Sequence, residues 1–337
     1  MVTGATGFLG RHVLGALRTH APAARLAVLV RDTASWTAQP WTAALGDVTL
    51  VTGSLLSPET WSGDARIASL DGVFHLAAEV KHSRSDTDGM FRTNVEGTAG
   101  MVRLAAAKRC RMLFVSTSGA VSCAAEPGRG AFEDAPYCEA VVGDWPYYAS
   151  KIRAETEARR LAAELDAELV IVRPPVLLGP GDHRFRSTSN VLRLLRGRLP
   201  FIVDGGMHFA DVRDVAAALV RAMQLERPAP VYHLTGTACS IDEFFRLTAQ
   251  HAGLPARWKV LPWPLLWHAA RLNERLGAPL HILPDPVVIE MARHHWDLAS
   301  RDAEADLGYR SRSAGETLAD TVAWLRQNHP DLRADLP

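Results

Sequence analysis

Short apolar runs alternate with longer helix-forming stretches through the first half of the chain. The runs are rich in valine, leucine and isoleucine, and they lack the strict polar–apolar alternation that marks a half-exposed strand. We predict strands at residues 26–30, 48–52, 73–76, 112–115 and 169–172, and helices at residues 11–19, 89–108 and 147–165. This alternation favours an α/β fold, with a doubly wound parallel sheet and helices on both faces.

Three glycines, Gly4, Gly7 and Gly10, precede the first predicted helix with the spacing G-x-x-G-x-x-G. This spacing suits a tight strand-to-helix turn at Gly4, close approach of a phosphate at Gly7, and close packing of the helix on the sheet at Gly10. A helix N-terminus offers free N–H groups to a pyrophosphate. The motif therefore predicts a nicotinamide dinucleotide on a Rossmann fold. Because so few residues precede Gly4, we expect either a very short first strand or a native start upstream of Met1.

The composition of the chain changes after Arg173, where prolines and glycines become frequent. We place a dinucleotide-binding Rossmann domain at residues 1–173 and expect residues 209–236 to pack back on it. A smaller C-terminal substrate-binding lobe is predicted from residues 174–208 and 237–330. Residues 260–283 of this lobe are either ordinary packing or the wall of an apolar pocket, and the large apolar residues of this stretch are Trp263, Leu265, Leu266, Trp267 and Leu272.

Charge and cysteine content exclude several classes of partner. Lys plus Arg equals Asp plus Glu at 37 each among 337 residues, so net charge gives no case for nucleic acid or an anionic membrane as partner. No apolar run reaches the roughly 18 residues of a membrane helix, and no secretion leader precedes the glycines, so we expect a cytoplasmic protein. We expect reduced thiols, no disulfide and no metal, because no metal-ligand spacing joins the four cysteines, Cys110, Cys123, Cys138 and Cys239.

Tyr147 and Lys151 stand four residues apart at the start of a predicted helix, so their side chains share one helical face. An ammonium beside a phenol favours the phenolate and lowers the phenol pKa from about 10 toward the working range of a general acid or base. Tyr148 is the neighbouring candidate, but it points about a third of a turn away from Tyr147.

Three hydroxyl residues, Ser116, Thr117 and Ser118, follow the strand predicted at residues 112–115. Open α/β sheets bind their ligands at the carboxyl ends of the strands. A hydroxyl there can polarise a substrate carbonyl. Alternatively, these side chains cap the strand end by bonding the backbone.

In their order along the chain, these motifs resemble those of the extended short-chain dehydrogenase/reductase family. The resemblance covers nearly the whole chain and does not depend on the glycines alone. Its motifs are TGATGFLG at 3–10, VFHLAA at 73–78, NVEGT at 94–98, STS at 116–118, Tyr147 with Lys151, RPP at 173–175, GPGD at 179–182, FADVRDV at 209–215 and LGY at 307–309.

The resemblance implies a role for each matching residue. Tyr147 would exchange a proton with the substrate oxygen, and Lys151 would bond the nicotinamide ribose and hold the tyrosine pKa down. Thr117 would bond the substrate oxygen, with Ser118 as the alternative if the register shifts by one position. Asn94 would help to order the active-site helix. The expected cofactor contacts are Gly4, Thr6, Gly7, Phe8, Leu9, Gly10, Arg31, Ser54, Leu55, Leu76, Ala77, Ala78, Tyr147, Lys151 and Pro174.

The choice of cofactor depends on the residues after the second predicted strand. Rossmann proteins that bind NAD place an acidic residue there on the ribose 2′-hydroxyl, whereas an arginine accommodates the 2′-phosphate of NADP. Arg31 occupies this place, with Arg11 as a second cation, so we expect NADP(H); Asp32 keeps NAD(H) open. Ser54 stands where the family usually has an aspartate near the adenine, so this contact departs from the family pattern.

Two departures from family patterns point to a substrate class. Gly119 follows Ser118 where sugar-nucleotide 4,6-dehydratases carry Asp-Glu, and residues 173–176 are apolar after the arginine where sugar epimerases show Arg-Tyr-Phe-Asn. The chain is thus similar to the dihydroflavonol-reductase and 3β-hydroxysteroid-dehydrogenase branch. We therefore expect an NAD(P)H-dependent ketone or aldehyde reductase with a bulky, largely hydrophobic small-molecule substrate.

Three other functions stay open. The first is a sugar-nucleotide epimerase with retained NAD. Its substrate diphosphate would be bound by a basic stretch, which is alternatively a solvated helix face; the stretch contains Arg184, Arg186, Arg193, Arg196 and Arg198. A thioester reductase is another, because residues 79–82 and 148–151 are similar to those of reductases of carrier-bound acyl chains. A cofactor sensor without catalysis is the third, although such proteins commonly lack the tyrosine. A homodimer through the helices at 89–108 and 147–165 is also an expectation.

Overall fold

The computed structural model describes residues 1–128, 130–277 and 283–333. Its strands are β1 (Val2–Thr3), β2 (Leu26–Val30), β3 (Val48–Thr52), β4 (Gly72–His75), β5 (Arg111–Val115), β6 (Leu169–Arg173), β7 (Val176–Leu178), β8 (Phe201–Val203), β9 (Gly206–Asp211), β10 (Val231–His233), β11 (Thr237–Ser240) and β12 (Lys259–Leu261). Its α-helices are α1 (Phe8–His20), α2 (Thr33–Thr37), α3 (Asp88–Phe91), α4 (Gly97–Lys108), α5 (Glu139–Val142), α6 (Pro146–Leu165), α7 (Ser189–Leu195), α8 (Val212–Gln224), α9 (Ile241–Ala252), α10 (Trp263–Arg275), α11 (Pro286–Ala292), α12 (Asp302–Leu307), α13 (Ala314–Asn328) and α14 (Pro330–Arg333).

Seven parallel strands form the central sheet in the order β10-β6-β5-β4-β1-β2-β3. The predicted doubly wound parallel sheet is confirmed. The five strands predicted from apolar runs lie within one residue of the observed ones at each end. The first strand has only two residues, Val2 and Thr3, and both are buried between β2 and β4.

Helices cover both faces of this sheet. On one face α1 packs against α8, and the apolar stripe of α1 that includes Val13, Leu14 and Leu17 is buried there. On the other face α4 packs against α6 through small residues such as Ala105 and Ala158, which let the two helices approach closely. The helix predicted at residues 89–108 is interrupted by a π-helical turn at Arg92–Glu96, which joins α3 to α4.

The chain after β6 forms two smaller sheets and a helical layer. β7, β9 and β11 make a three-stranded sheet, and β8 pairs with β12. A separate apolar core lies among α7, α9, α10 and α13 and includes Phe244, Leu266 and Leu318. β10 returns to the central sheet and pairs with β6. In the part of the chain that the structure describes, no helix combines the length and the apolar content that crossing a bilayer requires.

Candidate functional site

The strand register brings the sequence-predicted residues to one edge of the central sheet. Thr3 pairs with Leu29 of β2 and with His75 of β4, and His75 pairs with Phe114 of β5. The residues that follow these strands therefore leave the sheet at the same level. They are Gly4, Arg31, the segment Leu76 to Ala78, and Ser116 to Ser118.

Two glycines shape the loop between β1 and α1. Gly4 has φ +68°, and a Cβ on it would lie 2.7 Å from the backbone nitrogen of Ala77, so both its conformation and its surroundings require glycine. A Cβ on Gly10 would collide with the carbonyl oxygen of Gly4. The predicted close packing at Gly10 is therefore present, but its partner is the loop's own backbone rather than the sheet.

The N-terminus of α1 is open to a ligand. Gly7 is its N-cap residue, no side chain caps the helix, and no acidic residue stands in the first turn. The first N–H groups of a helix have no partner within the helix, and here they belong to Phe8, Leu9 and Gly10. Because a negative group is favoured at this end of the helix, the cradle fits a pyrophosphate.

The two charged residues after β2 have different environments. Arg31 is exposed, and none of the hydrogen bonds or ion pairs of the described residues involves its side chain. Asp32 is the N-cap of α2, and its two carboxylate oxygens accept from the N–H groups of Ala34 and Ser35 at 3.0 Å each. The Asp32 carboxylate is thus already engaged with the backbone.

The loop after β3 also reaches this edge. Ser54 Oγ accepts from the N–H group of Leu56 at 3.2 Å, and Ser54 O accepts from the indole of Trp61 at 2.8 Å. Leu55 packs over Gly97 of α4, where an added Cβ would lie 3.1 Å from its side chain. The predicted residues Ser54 and Leu55 therefore lie in a loop tied to the helix layer.

Asn94 connects the loop after β4 to the helix that carries Tyr147. It donates to Glu79 O and to Ser150 Oγ at 2.9 Å each, and it accepts from the Glu79 N–H group at 2.8 Å. Ser150 Oγ donates in turn to Tyr147 O at 2.7 Å. The buried position of Asn94 within the π-helical turn thus fixes the first turn of α6.

The Thr117 hydroxyl lies near enough to Tyr147 at the carboxyl edge of the sheet to act on the pKa of the phenol, and Lys151 follows one helical turn after the tyrosine. Lys151 Nζ donates to Val115 O at 2.7 Å and lies 4.5 Å from the centre of the Phe114 ring. Burial lowers the pKa of Lys151 to about 8. The site therefore unites a phenol, a hydroxyl and an ammonium group.

Burial raises the pKa of Tyr147 to about 12, and the nearby Thr117 hydroxyl acts in the opposite direction. The expectation that Lys151 holds this pKa down is wrong for this structure. Desolvation of the phenol dominates, and the ammonium bonds the carbonyl of Val115 instead. Tyr147 is consequently a protonated phenol at neutral pH.

The other hydroxyls beside Thr117 have different surroundings. Ser118 is 6% exposed, and its N–H group donates to Pro174 O at 2.9 Å, which fixes the predicted contact residue Pro174 beside the strand end. Ser116 Oγ is buried with no partner among the described residues. Thr117 Oγ1 accepts from the N–H group of Gly119 at 3.4 Å, as a capping hydroxyl does, and of the three hydroxyls it is the one that acts on the pKa of Tyr147.

Tyr148 belongs to an aromatic wall rather than to the polar site. Its ring lies so close to Gly119 that an added Cβ would collide with it, and it stacks on Trp296 with centroids 5.2 Å apart. Trp145 contacts both rings at 6.1 and 5.9 Å. The glycine that replaces the Asp-Glu pattern therefore leaves room for Tyr148.

A cavity of about 590 Å³ opens beside this wall, between the segment after β5 and the helices α10 and α11. Its lining includes the indoles of Trp145, Trp263 and Trp267, together with Cys123 and Arg293. Of the predicted pocket wall, Trp263 and Trp267 therefore line the cavity. Other members of that stretch have different places: Leu266 is buried in the lobe core, while Leu265 and Leu272 are exposed. Residues 278–282 of the stretch lie outside the described residues.

Sequence reasoning missed Glu290, which closes one side of the cavity. Its carboxylate accepts from Trp267 Nε1 at 2.7 Å, from Arg84 Nη2 at 2.7 Å and from Trp145 Nε1 at 3.2 Å. A lone glutamate carries no recognisable motif, and its partners are 23 to 206 residues away in the sequence. No signal in the sequence identifies it.

The basic stretch of the second lobe does not form one cluster. Arg184 donates to Thr6 Oγ1 of the glycine loop at 3.3 Å, whereas Arg196 pairs with Asp331 at 2.5 Å. Arg186 and Arg198 are exposed. Arg184 thus lies at the glycine loop, apart from Arg196.

Comparison with known proteins identifies relatives along the whole chain. A family model described as the NAD dependent epimerase/dehydratase family matches residues 1–234. A Synechocystis sp. protein with the provisional name dihydroflavonol 4-reductase is 30% identical over 340 residues, covering 97% of this chain and 94% of that protein. A 4-hydroxy-2-methyl-3-oxo-4-farnesyl-3,4-dihydroquinoline-1-oxide ketoreductase from Stigmatella aurantiaca is 27% identical, covering 100% of this chain and 98% of its own. The solved structure of gox2253 matches with a TM-score of 0.80 at 29% identity, covering 97% of this chain and 98% of that one.

Proposed function

Because the chain belongs to the NAD dependent epimerase/dehydratase family, and with it to the extended short-chain dehydrogenases/reductases, we propose that it is an NADP(H)-dependent carbonyl reductase. Its substrate is a ketone or an aldehyde on a bulky, largely hydrophobic small molecule. The observation that carries the proposal is the meeting of Thr117, Tyr147 and Lys151 at the carboxyl edge of the sheet, with Lys151 one turn after Tyr147 on the same helix and its Nζ bonded to Val115 O at 2.7 Å.

The residues at the sheet edge fit a nicotinamide dinucleotide. The glycine loop and the open N-terminus of α1 hold the pyrophosphate, and Lys151, which uses one of its three donors on Val115 O, has donors left for the ribose. The bound nicotinamide supplies the hydride. Arg31 binds the 2′-phosphate of NADP(H), since its guanidinium is exposed and has no partner among the described residues, while the Asp32 carboxylate caps α2.

Tyr147 donates a proton to the carbonyl oxygen as this oxygen gains negative charge. Its pKa of about 12 keeps the phenol protonated at neutral pH, as a proton donor must be. The Thr117 hydroxyl favours the phenolate that remains. Burial lowers the pKa of Lys151 to about 8, so at neutral pH most of the lysine is still charged.

A bulky, apolar substrate would extend from Tyr147 into the cavity beside Trp145, whose described lining does not itself include Thr117, Tyr147 or Lys151. Three indoles line it, and it is large enough for a polycyclic or long-chain molecule. The two relatives that match over the whole chain carry the names of a dihydroflavonol reductase and of a ketoreductase for a farnesylated ring system. Both names agree with a carbonyl substrate on a large hydrophobic frame.

A sugar-nucleotide epimerase with retained NAD is the second candidate, and the description of the family model favours it. Such an enzyme needs groups for a substrate diphosphate. The arginines expected to supply them are dispersed, with Arg196 paired to Asp331 and Arg184 at the glycine loop.

The test is turnover by the purified protein with NADPH and a panel of carbonyl compounds that ranges from small aliphatic ketones to polycyclic aromatic ketones. We expect oxidation of NADPH together with formation of the matching alcohol, preferentially from the large members. A protein that carries a non-exchangeable NAD, interconverts sugar nucleotides and leaves every carbonyl compound unchanged would establish the epimerase instead.

A further inference from the structure

Two arginines near the N-terminus of α1 have no acidic partner in the described parts of the chain. Arg11 lies in the first turn of α1, and Arg184 reaches the glycine loop from the segment after β7. Neither forms an ion pair with any residue that the structure describes, whereas the buried Arg173 is paired with Glu155 at 2.6 Å. Two uncompensated cations beside the positive end of a helix dipole form a site for a polyanion.

The segment that carries Arg184, residues 179–188, is held in place by its backbone conformation and by hydrogen bonds. Gly179 and Gly181 have φ of +128° and +100°, which require glycine. The N–H group of Gly179 donates to Thr321 Oγ1 at 2.8 Å, and the buried Asp182 accepts from both the N–H group and the hydroxyl of Thr188 at 3.0 Å. The segment is thus held at both of its ends by buried hydrogen bonds.

Two contacts hold this segment against α1. His12 Nε2 donates to Pro180 O at 2.8 Å, and burial lowers the pKa of His12 to about 4, so this ring is neutral and keeps its single proton for the carbonyl. Arg11 donates to Nε2 of His183. Arg184 is therefore presented to the glycine loop by a segment whose position is determined on both sides.

The Arg184 guanidinium has donors to spare. Its Nη2 donates to Thr6 Oγ1 at 3.3 Å, a single long bond, while a guanidinium carries five N–H donors in a planar fork. Thr6 directly precedes Gly7, the residue that opens α1. The free donors of Arg184 thus lie next to the cradle formed by the N-terminus of α1.

We propose that Arg184 binds the pyrophosphate of the dinucleotide, opposite the N–H groups of α1, as a ligand supplied by the second half of the chain. The proposal rests on the cofactor of the proposed function. It separates two arginine roles: Arg31 reads the 2′-phosphate and therefore discriminates between NADPH and NADH, whereas Arg184 contacts a group that both cofactors share. Removal of Arg184 therefore weakens the binding of both cofactors by the same factor.

The experiment measures dissociation constants by calorimetric titration of wild-type protein and Arg184→Ala with NADPH, NADH, ADP-ribose and adenosine 2′-monophosphate. Loss of a charge-assisted hydrogen bond weakens binding about 10- to 100-fold. We expect this loss for NADPH, NADH and ADP-ribose alike, and no change for adenosine 2′-monophosphate, which has no pyrophosphate. Arg184→Lys, which keeps the charge but not the fork, falls between wild type and Arg184→Ala.

Arg186→Ala is the matched control, because Arg186 is exposed two residues further along the same segment. It should bind all four probes as wild type does. Unchanged NADPH binding by Arg184→Ala, or a loss confined to NADPH, overturns the role of Arg184 and leaves the proposed function intact. Failure of wild-type protein to bind either dinucleotide overturns both.

Discussion

The hydroxyl of Thr3 donates to Nδ1 of His75 across 2.8 Å, where β1 and β4 pair at the edge of the site. Thr3 Oγ1 itself accepts from the N–H group of Ala77 at 3.3 Å. On the far side of the ring, His75 Nε2 donates to Thr98 Oγ1 at 3.0 Å, and the proton of Thr98 goes to Asn94 O at 2.6 Å. This chain of donors fixes the imidazole as neutral, with its proton on Nε2.

Protonation of His75 should therefore destabilise the folded protein. Burial, with the charge of Lys151 as a smaller cause, lowers the pKa of His75 to about 3, whereas an unfolded histidine titrates near 6.5. The unfolded chain thus binds this proton first. The contribution of His75 to stability is fully present above a pH of about 6.5 and is lost as pH falls toward about 3.

We predict that His75→Gln flattens this pH dependence. The free energy of unfolding of wild-type protein should fall by about 2 kcal/mol more than that of the variant between pH 7 and about pH 5. Urea denaturation at the two pH values measures this difference. His268→Gln, at an exposed position of α10, should keep the wild-type slope. Equal slopes for His75→Gln and wild-type protein would contradict the neutral state of the His75 ring in the folded protein.

The two neighbouring tyrosines allow a test of the proton donor. Tyr147→Phe should lower turnover of a carbonyl substrate by about 100-fold or more, because general-acid catalysis contributes factors of this size. Cofactor affinity should stay unchanged. Tyr148→Phe is the matched control, since its ring packs between Gly119 and Trp296 and keeps these contacts without the hydroxyl. Steady-state kinetics and NADPH titration check both variants, and undiminished turnover by Tyr147→Phe would refute its role.

Cofactor preference should depend on Arg31 and not on Asp32. Arg31→Ala should weaken the binding of NADPH about 10- to 100-fold and leave the binding of NADH constant, because only NADPH carries the 2′-phosphate. Asp32→Ala removes the cap of α2 and should destabilise the protein by about 1 kcal/mol without changing either dissociation constant. A loss of NADH affinity in Asp32→Ala would instead show that this carboxylate leaves the cap to bind the ribose.

The sequence is sufficient to predict what depends on local pattern. Apolar runs predicted the strands, because a strand buried on both faces must be apolar throughout. Glycine spacing predicted the turn at Gly4, because only glycine tolerates its positive φ beside Ala77. The four-residue spacing predicted that Tyr147 and Lys151 share a helical face, because that is a property of any helix.

Features that depend on long-range contacts could not be predicted. The pKa of Tyr147 follows from desolvation, which no spacing encodes, and the expected effect of Lys151 on it was wrong for that reason. Arg184 and Thr6 are 178 residues apart in sequence, and only the fold brings them together. The neutral state of His75 likewise depends on two threonines from different elements.

Glu290 joins three elements at the cavity. Arg84 comes from the loop after β4, Trp145 precedes the helix of Tyr147, and Trp267 lies on α10. The carboxylate is 18% exposed, and its three donors together outweigh its desolvation, so its pKa lies below its usual range. The charged carboxylate therefore holds α11 against the other residues of the cavity wall.

Replacement of Glu290 by glutamine should loosen this wall without touching the reacting groups. The amide keeps one acceptor but loses the ion pair with Arg84, so the two indoles compete for a single oxygen. We expect KM for a bulky carbonyl substrate to rise about 10-fold, with kcat and NADPH affinity little changed, because uniform binding is lost rather than transition-state stabilisation. Glu274→Gln, on the exposed side of α10, is the matched control and should leave KM unchanged. A fall in kcat at constant KM would place the effect of Glu290 at the reacting groups instead of at the cavity.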